Sequence, residues 1–199
     1  MRWLGILSIC LVAYGGYNIL VIVRVSQPAG VITAGDDPRQ TVADSAAFEH
    51  QGYTLHPLEN FDIRARVLAA EHCSADREAD LSPVDLALGW GSMSDSAVID
   101  RLSISQSGRF YLWRYENEPP IPTQEIISHS ANMHMIPASS EIKRELKELR
   151  PGEIVSLNGY LVEATANDGW HRRSSLTRED SGDGACEIIW VKNISVRER

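Results

Sequence analysis

The chain has 199 residues, 43% of them hydrophobic and 23% charged, which is enough apolar material to bury a core and excludes bulk disorder. Its formal net charge of −8 argues against a nucleic-acid partner held through phosphates, because such proteins present clustered Lys and Arg.

The first element is an uncharged run, WLGILSICLVAYGGYNILVIV, from Trp3 to Val23 between Arg2 and Arg24. At helical rise it reaches roughly 30 Å, the thickness of a bilayer core, so residues 1–24 are expected to be a single transmembrane anchor with the bilayer as partner of residues 3–23. A cleaved signal peptide fits less well, since VITAG at 31–35 has Ile32 where a small residue is wanted. A lipoprotein anchor at Cys10 is disfavoured because Ile9 precedes it in mid-run. Arg2 and Arg24 nearly balance the two flanks; the acidic Asp36 and Asp37 tip the expected orientation towards the N-terminus inside and the bulk of the chain exported from a cytoplasmic (inner) membrane.

Residues 25–46 are rich in Gly, Pro, Asp and small side chains and are expected to form a linker or stalk. The remainder, 47–199, has the size of one domain. FDIRARVLA at 61–69 alternates apolar and polar residues as a half-buried strand does. SPVDLALGWG at 82–91 suggests a short helix with Ser82 as N-cap and Pro83 at its first position. RLSISQSGRFYLWRY at 101–115 is expected to be a hairpin turning near Gly108, and the prolines of the following ENEPPIP end it.

SSEIKRELKELRPG at 139–152 is the clearest helix: a serine cap, an apolar stripe of Ile142, Leu146 and Leu149, and a Pro151-Gly152 stop. EIVSLNGYLVEATA at 153–166 and ACEIIWVKNISV at 185–196 return to strand periodicity. The expected fold is therefore α+β: a mostly antiparallel β sandwich or partly open small barrel with two or three helices. The helix, its Pro-Gly stop and LNGYLVEA resemble part of an oligonucleotide/oligosaccharide-binding barrel over about a quarter of the chain, with no diagnostic motif, and the chain is not assigned to that family on this ground.

Four stretches carry chemistry-bearing residues. HSANMHMIPAS at 129–139 holds His129 and His134 five positions apart. Helical zinc pairs prefer a spacing of four, with Glu between them, so the pair reads as a junction from helix to strand and no metal site is expected. SGDGACE at 181–187 offers Cys186 as a thiol nucleophile if His129 or His134 supplies a base through the fold. DGWHRRSSLTRED at 168–180 offers Trp170, His171, Arg172 and Arg173 as ligand contacts. LGWGSMSDS at 88–96 lacks the lysine of a phosphate loop and the GxSxG of hydrolases, so loop chemistry suffices for it.

In an exported compartment Cys73 and Cys186 are a candidate disulfide, closing a loop worth about 4 kcal/mol. No cofactor is implied. The expectation is a single-pass envelope protein whose domain acts as a binding or assembly module on a protein or other envelope component. The alternative is a membrane-anchored hydrolase or acyl-transfer enzyme using Cys186 with His129 or His134.

Overall fold

The structure is a computed structural model that describes residues 24–177 and 186–197. The anchor expected at 1–24 lies outside the described residues except for Arg24, as do Cys10 and residues 181–185 of the SGDGACE stretch. No helix among the described residues is long and apolar enough to cross a membrane.

The described chain is mostly β. In chain order its elements are β1 (Arg39–Val42), β2 (Phe48–His50), β3 (Tyr53–His72), β4 (Val84–Gly89), α1 (Ser96–Ile99), β5 (Ser103–Ser107), β6 (Phe110–Arg114) and α2 (Thr123–Ser128). They continue with β7 (Ser130–Pro137), α3 (Ser140–Glu148), β8 (Ile154–Thr165), β9 (His171–Arg173) and β10 (Glu187–Val196). Eight strands form one sheet, and β5 and β6 form a separate two-stranded hairpin.

The long strand β3 organises the sheet by pairing twice. Its first part, Thr54 to Arg66, runs antiparallel to β8, and its last part, Arg66 to His72, runs antiparallel to β4. β4 pairs with β7, β7 runs parallel to β10, and β10 pairs back to β8. The pairings thus close the circuit β3–β4–β7–β10–β8–β3, which leaves those five strands few unpaired edges.

Alternation decides what lies inside the circuit. Phe61, Ile63, Ala65 and Val67 of β3, Leu86 and Leu88 of β4, Met133 and Met135 of β7, Leu157 and Leu161 of β8, and Ile189 and Val191 of β10 form one buried cluster. Helix α3 adds Leu146 to it, with Leu149 just beyond its end. The Ser139 hydroxyl accepts from Ile142 N and starts that helix as a serine cap should. Two smaller clusters lie on the outside. One centres on Leu55, Ile136 and Ile188, the other on Leu68, Ala87, Met93 and Ile126 beneath the β5–β6 hairpin.

Two expectations change. SPVDLALGWG is not a helix: Val84–Gly89 is strand β4, with every residue buried. A strand covered on both faces loses its alternation and reads as a continuous apolar run, which periodicity cannot separate from a short buried helix. The segment expected as a stalk lies against the domain as a strap. Val25 N donates to Pro151 O, Gln27 Nε2 to Gly152 O, and Ser96 Oγ to Gln27 O. Thr33 exchanges hydrogen bonds with Ser94, Gly91 N donates to Ala34 O, and residues 39–42 join the sheet as β1. Buried Arg66 holds the receiving loop by donating to Ser94 O and Ser96 Oγ. Small and Pro/Gly-rich residues are what a tightly laid strap needs as much as what a free linker needs.

Candidate functional site

The register of three antiparallel or parallel pairings lines up Glu71 of β3, Asp85 of β4, His134 of β7 and Ile188 of β10 in one row on the outer face of the circuit. Side chains two residues along a strand share that face, which brings Asn132 and the residue preceding β10, Cys186, to the same patch. Asp85 is fully buried and His134 is 9% exposed.

Asp85 holds two cations. Its Oδ1 lies 2.9 Å from His134 Nδ1 and 2.9 Å from Arg109 Nη1. The histidine contact is an ion-pair approach whose N–H direction is not aligned as a hydrogen bond, and Asp85 Oδ2 has no hydrogen-bond partner among the described residues. A buried carboxylate needs such partners, because desolvation costs several kcal/mol that only well-placed opposite charge offsets.

Arg109 comes from the tip of the hairpin. Gly108 and Arg109 both have positive φ, 58° and 69°, as a tight two-residue turn requires. Their backbone N–H groups donate to the two Glu71 carboxylate oxygens, at 3.1 and 3.3 Å. The guanidinium then reaches over β4, forking onto Asp76 with two bonds of 2.8 Å and donating to Ser82 O. Asn132 ties the hairpin down from the other side: Nδ2 donates to Arg109 O and Oδ1 accepts from Gln106 Nε2. The same Nδ2 lies 3.8 Å from Cys186 Sγ.

The charges shift the neighbouring equilibria. Burial pulls His134 towards its neutral form, but contact with the Asp85 carboxylate and the Cys186 thiol outweighs this and pushes its pKa up to about 9. Burial, reinforced by Asp85, pushes the Cys73 thiol up to about 12. The Arg109 fork holds the Asp76 carboxyl below its ordinary range.

His134 and Cys186 both lie on the patch around Asn132, whose Nδ2 is 3.8 Å from Cys186 Sγ, whereas His129 is placed elsewhere. His129 closes α2: Nδ1 donates to Glu125 O at 3.0 Å, its ring packs on Gly91, and its carbonyl accepts from Trp90 N. Its Nε2 is 3.9 Å from Asp37 Oδ1. The junction expected at HSANMHMIPAS is thus the passage from α2 into β7. Cys73, just beyond β3, and Cys186, just before β10, both stand as free thiols.

The expected ligand contacts Trp170, His171, Arg172 and Arg173 lie at and beside β9. Trp170 packs edge-on to Tyr53 and under the Arg77 guanidinium, which is itself paired with Asp168 at 2.7 Å. Arg172 pairs with Glu78, and Arg173 with Glu163 at 2.6 Å. His171 is exposed. Among the described residues of this basic run, Arg172 and Arg173 are each matched by a carboxylate of the fold.

Sequence reasoning missed Asp85, Arg109 and Asn132. Asp85 is the one charge inside an apolar run, and Arg109 follows the glycine of the hairpin turn, the two signals that were legible. A groove of about 450 Å³ elsewhere, between Asp36, Arg39, Arg64, Asn158 and Asn193, includes none of these residues. No protein-family model, curated protein or solved structure matches the chain.

Proposed function

We propose that the chain is a single-pass module of a cell envelope, anchored through residues 3–23, whose domain works by binding or assembly on a protein or other envelope component at the exported side of a cytoplasmic membrane. The observation that carries this proposal is the strap. Arg24, the residue that closes the uncharged run, sits 3.4 Å from Asp100, and Val25 is bonded directly to Pro151. A membrane span ending at Val23 would then hold the domain against the bilayer surface, with no free tether between them.

The strand circuit supports a binding role. Five closed strands with a helix between the third and fourth suit the barrels that bind oligonucleotides and oligosaccharides, which use the loops joining their first and second and their fourth and fifth strands. Here those loops are 73–83 and 166–186, and their described parts meet where Arg77 stacks on Trp170 and Arg172 pairs with Glu78. The net charge of −8 favours a protein or neutral glycan over a polyanion at this surface.

Topology reporters fused after Arg24 and at the C-terminus test the anchor. Activity of an export-dependent reporter in the membrane fraction is expected; activity of only a cytoplasmic reporter overturns the placement. Cross-linking from position 170 in membranes tests the binding surface, with a discrete partner band expected and loss of that band on Arg77→Ala.

A further inference from the structure

We propose that the groove between the strap and the start of β8 is a site for the headgroup of an anionic phospholipid, with Val31 and Ile32 as an apolar rim seated in the bilayer interface. The inference rests on the anchored reading given above and goes beyond it, because it gives the domain a lipid-binding site of its own. The groove encloses about 730 Å³, and Val25, Val31, Ile32, Arg64, Glu153 and Arg197 stand on its wall.

The fold holds the apolar rim outwards. Val31 is 46% and Ile32 56% exposed, directly before buried Thr33 and Ala34. On one side of the pair Gly30 N donates to Asp95 Oδ1 at 2.8 Å; on the other Thr33 N and Ala34 N both donate to Ser94 Oγ at 3.1 Å. The two aliphatic side chains are thus fixed side by side in water, where transfer to an apolar phase is favourable. Position selects that phase. Val25, the second residue after the uncharged run, is itself part of the groove wall, so a bilayer reached by residues 3–23 arrives at the groove and its rim.

Charge selects the kind of lipid. Arg64 and Arg197 are exposed, and neither has a carboxylate partner among the described residues. Strand pairing brings them to one place: Arg64 of β3 is in register with Ser156 of β8, and Arg197 N donates to Ile154 O at the start of that strand. The carboxylate on the groove wall, Glu153, is buried and matched by Arg150 at 3.1 Å. Asp36, Asp37 and Asp62 line the adjoining groove, which shares Arg64, and not this one. A phosphate diester is the anion that such forked donors fit, and basic side chains at a bilayer surface draw anionic headgroups. The attraction is local, because the chain as a whole carries −8.

The test uses the full chain in nanodiscs of phosphatidylcholine with a minor share of phosphatidylglycerol. The photo-cross-linker p-benzoylphenylalanine replaces Ile32 or, as a control, the similarly exposed Phe110 of the hairpin. Lipid adducts identified by mass are expected at position 32 and not at 110, with phosphatidylglycerol over-represented about fivefold against its share of the disc. Arg64→Gln combined with Arg197→Gln is expected to return that ratio to the bulk share. Adducts absent from 32, equal at 32 and 110, in bulk proportion with both arginines present, or enriched regardless of the two substitutions overturn the site and leave the anchor standing. A chain that does not stay with the nanodiscs overturns the anchored reading and this site with it.

Discussion

Asp85 and His134 stand opposite one another across β4 and β7, their Cα positions in register and Oδ1 and Nδ1 2.9 Å apart. Arg109 reaches the same carboxylate oxygen from a hairpin tip 24 residues away in sequence. The outer face of the strand circuit is thus clamped by charge where its two outer apolar clusters leave a gap.

Removing the clamp should expose its energetics. Arg109→Ala leaves Asp85 buried with one cation, and a loss of about 3–5 kcal/mol in urea unfolding is expected. Arg109→Lys should fall between the two, because an ammonium cannot fork onto Asp76 while reaching Asp85. Arg109→Met combined with Asp85→Asn should cost clearly less than the sum of the single changes, since the stranded charge is gone. Additive losses would show that the two side chains do not share one network.

Stability should fall as pH rises. The folded pKa of His134, about 9, lies above the ordinary imidazole value of 6.5. Its stabilisation is therefore complete below about pH 6.5 and lost as pH climbs through about 9, amounting to a few kcal/mol at most. Urea midpoints measured from pH 6 to 9.5 should decline, and His134→Asn should flatten that decline. The raised Cys73 thiol has the same sign in a separate window, from its ordinary value of 9.0 up to about 12, and Cys73→Ser distinguishes it.

The strap depends on Gly152. Its φ is +94°, and a Cβ there would come within 1.9 Å of Val25 O. Gly152→Ala should cost about 1–3 kcal/mol through strain and forced displacement of the strap. Limited proteolysis should then cut within residues 25–34 at a rate well above that of the unaltered chain. An unchanged rate would mean that the strap is held independently of this contact.

The two domain thiols should remain unlinked. Unfolding the chain in alkylating reagent without reductant should label Cys73 and Cys186 together. A population protected until reductant is added would contradict the two free thiols of the fold.

The elements legible in the sequence were those with an exposed face. The hairpin 103–114 kept its alternation because Phe110 and Leu112 face outwards while Tyr111 and Trp113 turn in. The helix 140–148 declared itself by its serine cap and Leu146 stripe. β4 hid because both its faces are covered, and the strap hid because its contacts are backbone hydrogen bonds to distant residues. The site was half legible. Cys186 and His134 were visible as residue types, but the partner that selects His134 over His129 is Asp85, and only strand register places it.

The most direct measurement is an NMR titration of the His134 ring in the full chain, alone and with Asp85→Asn. A folded pKa near 9, with an imidazolium at neutral pH that Asp85→Asn returns towards the ordinary range, is the expected result. A His134 ring already neutral at pH 7 and indifferent to Asp85→Asn would contradict the charge clamp.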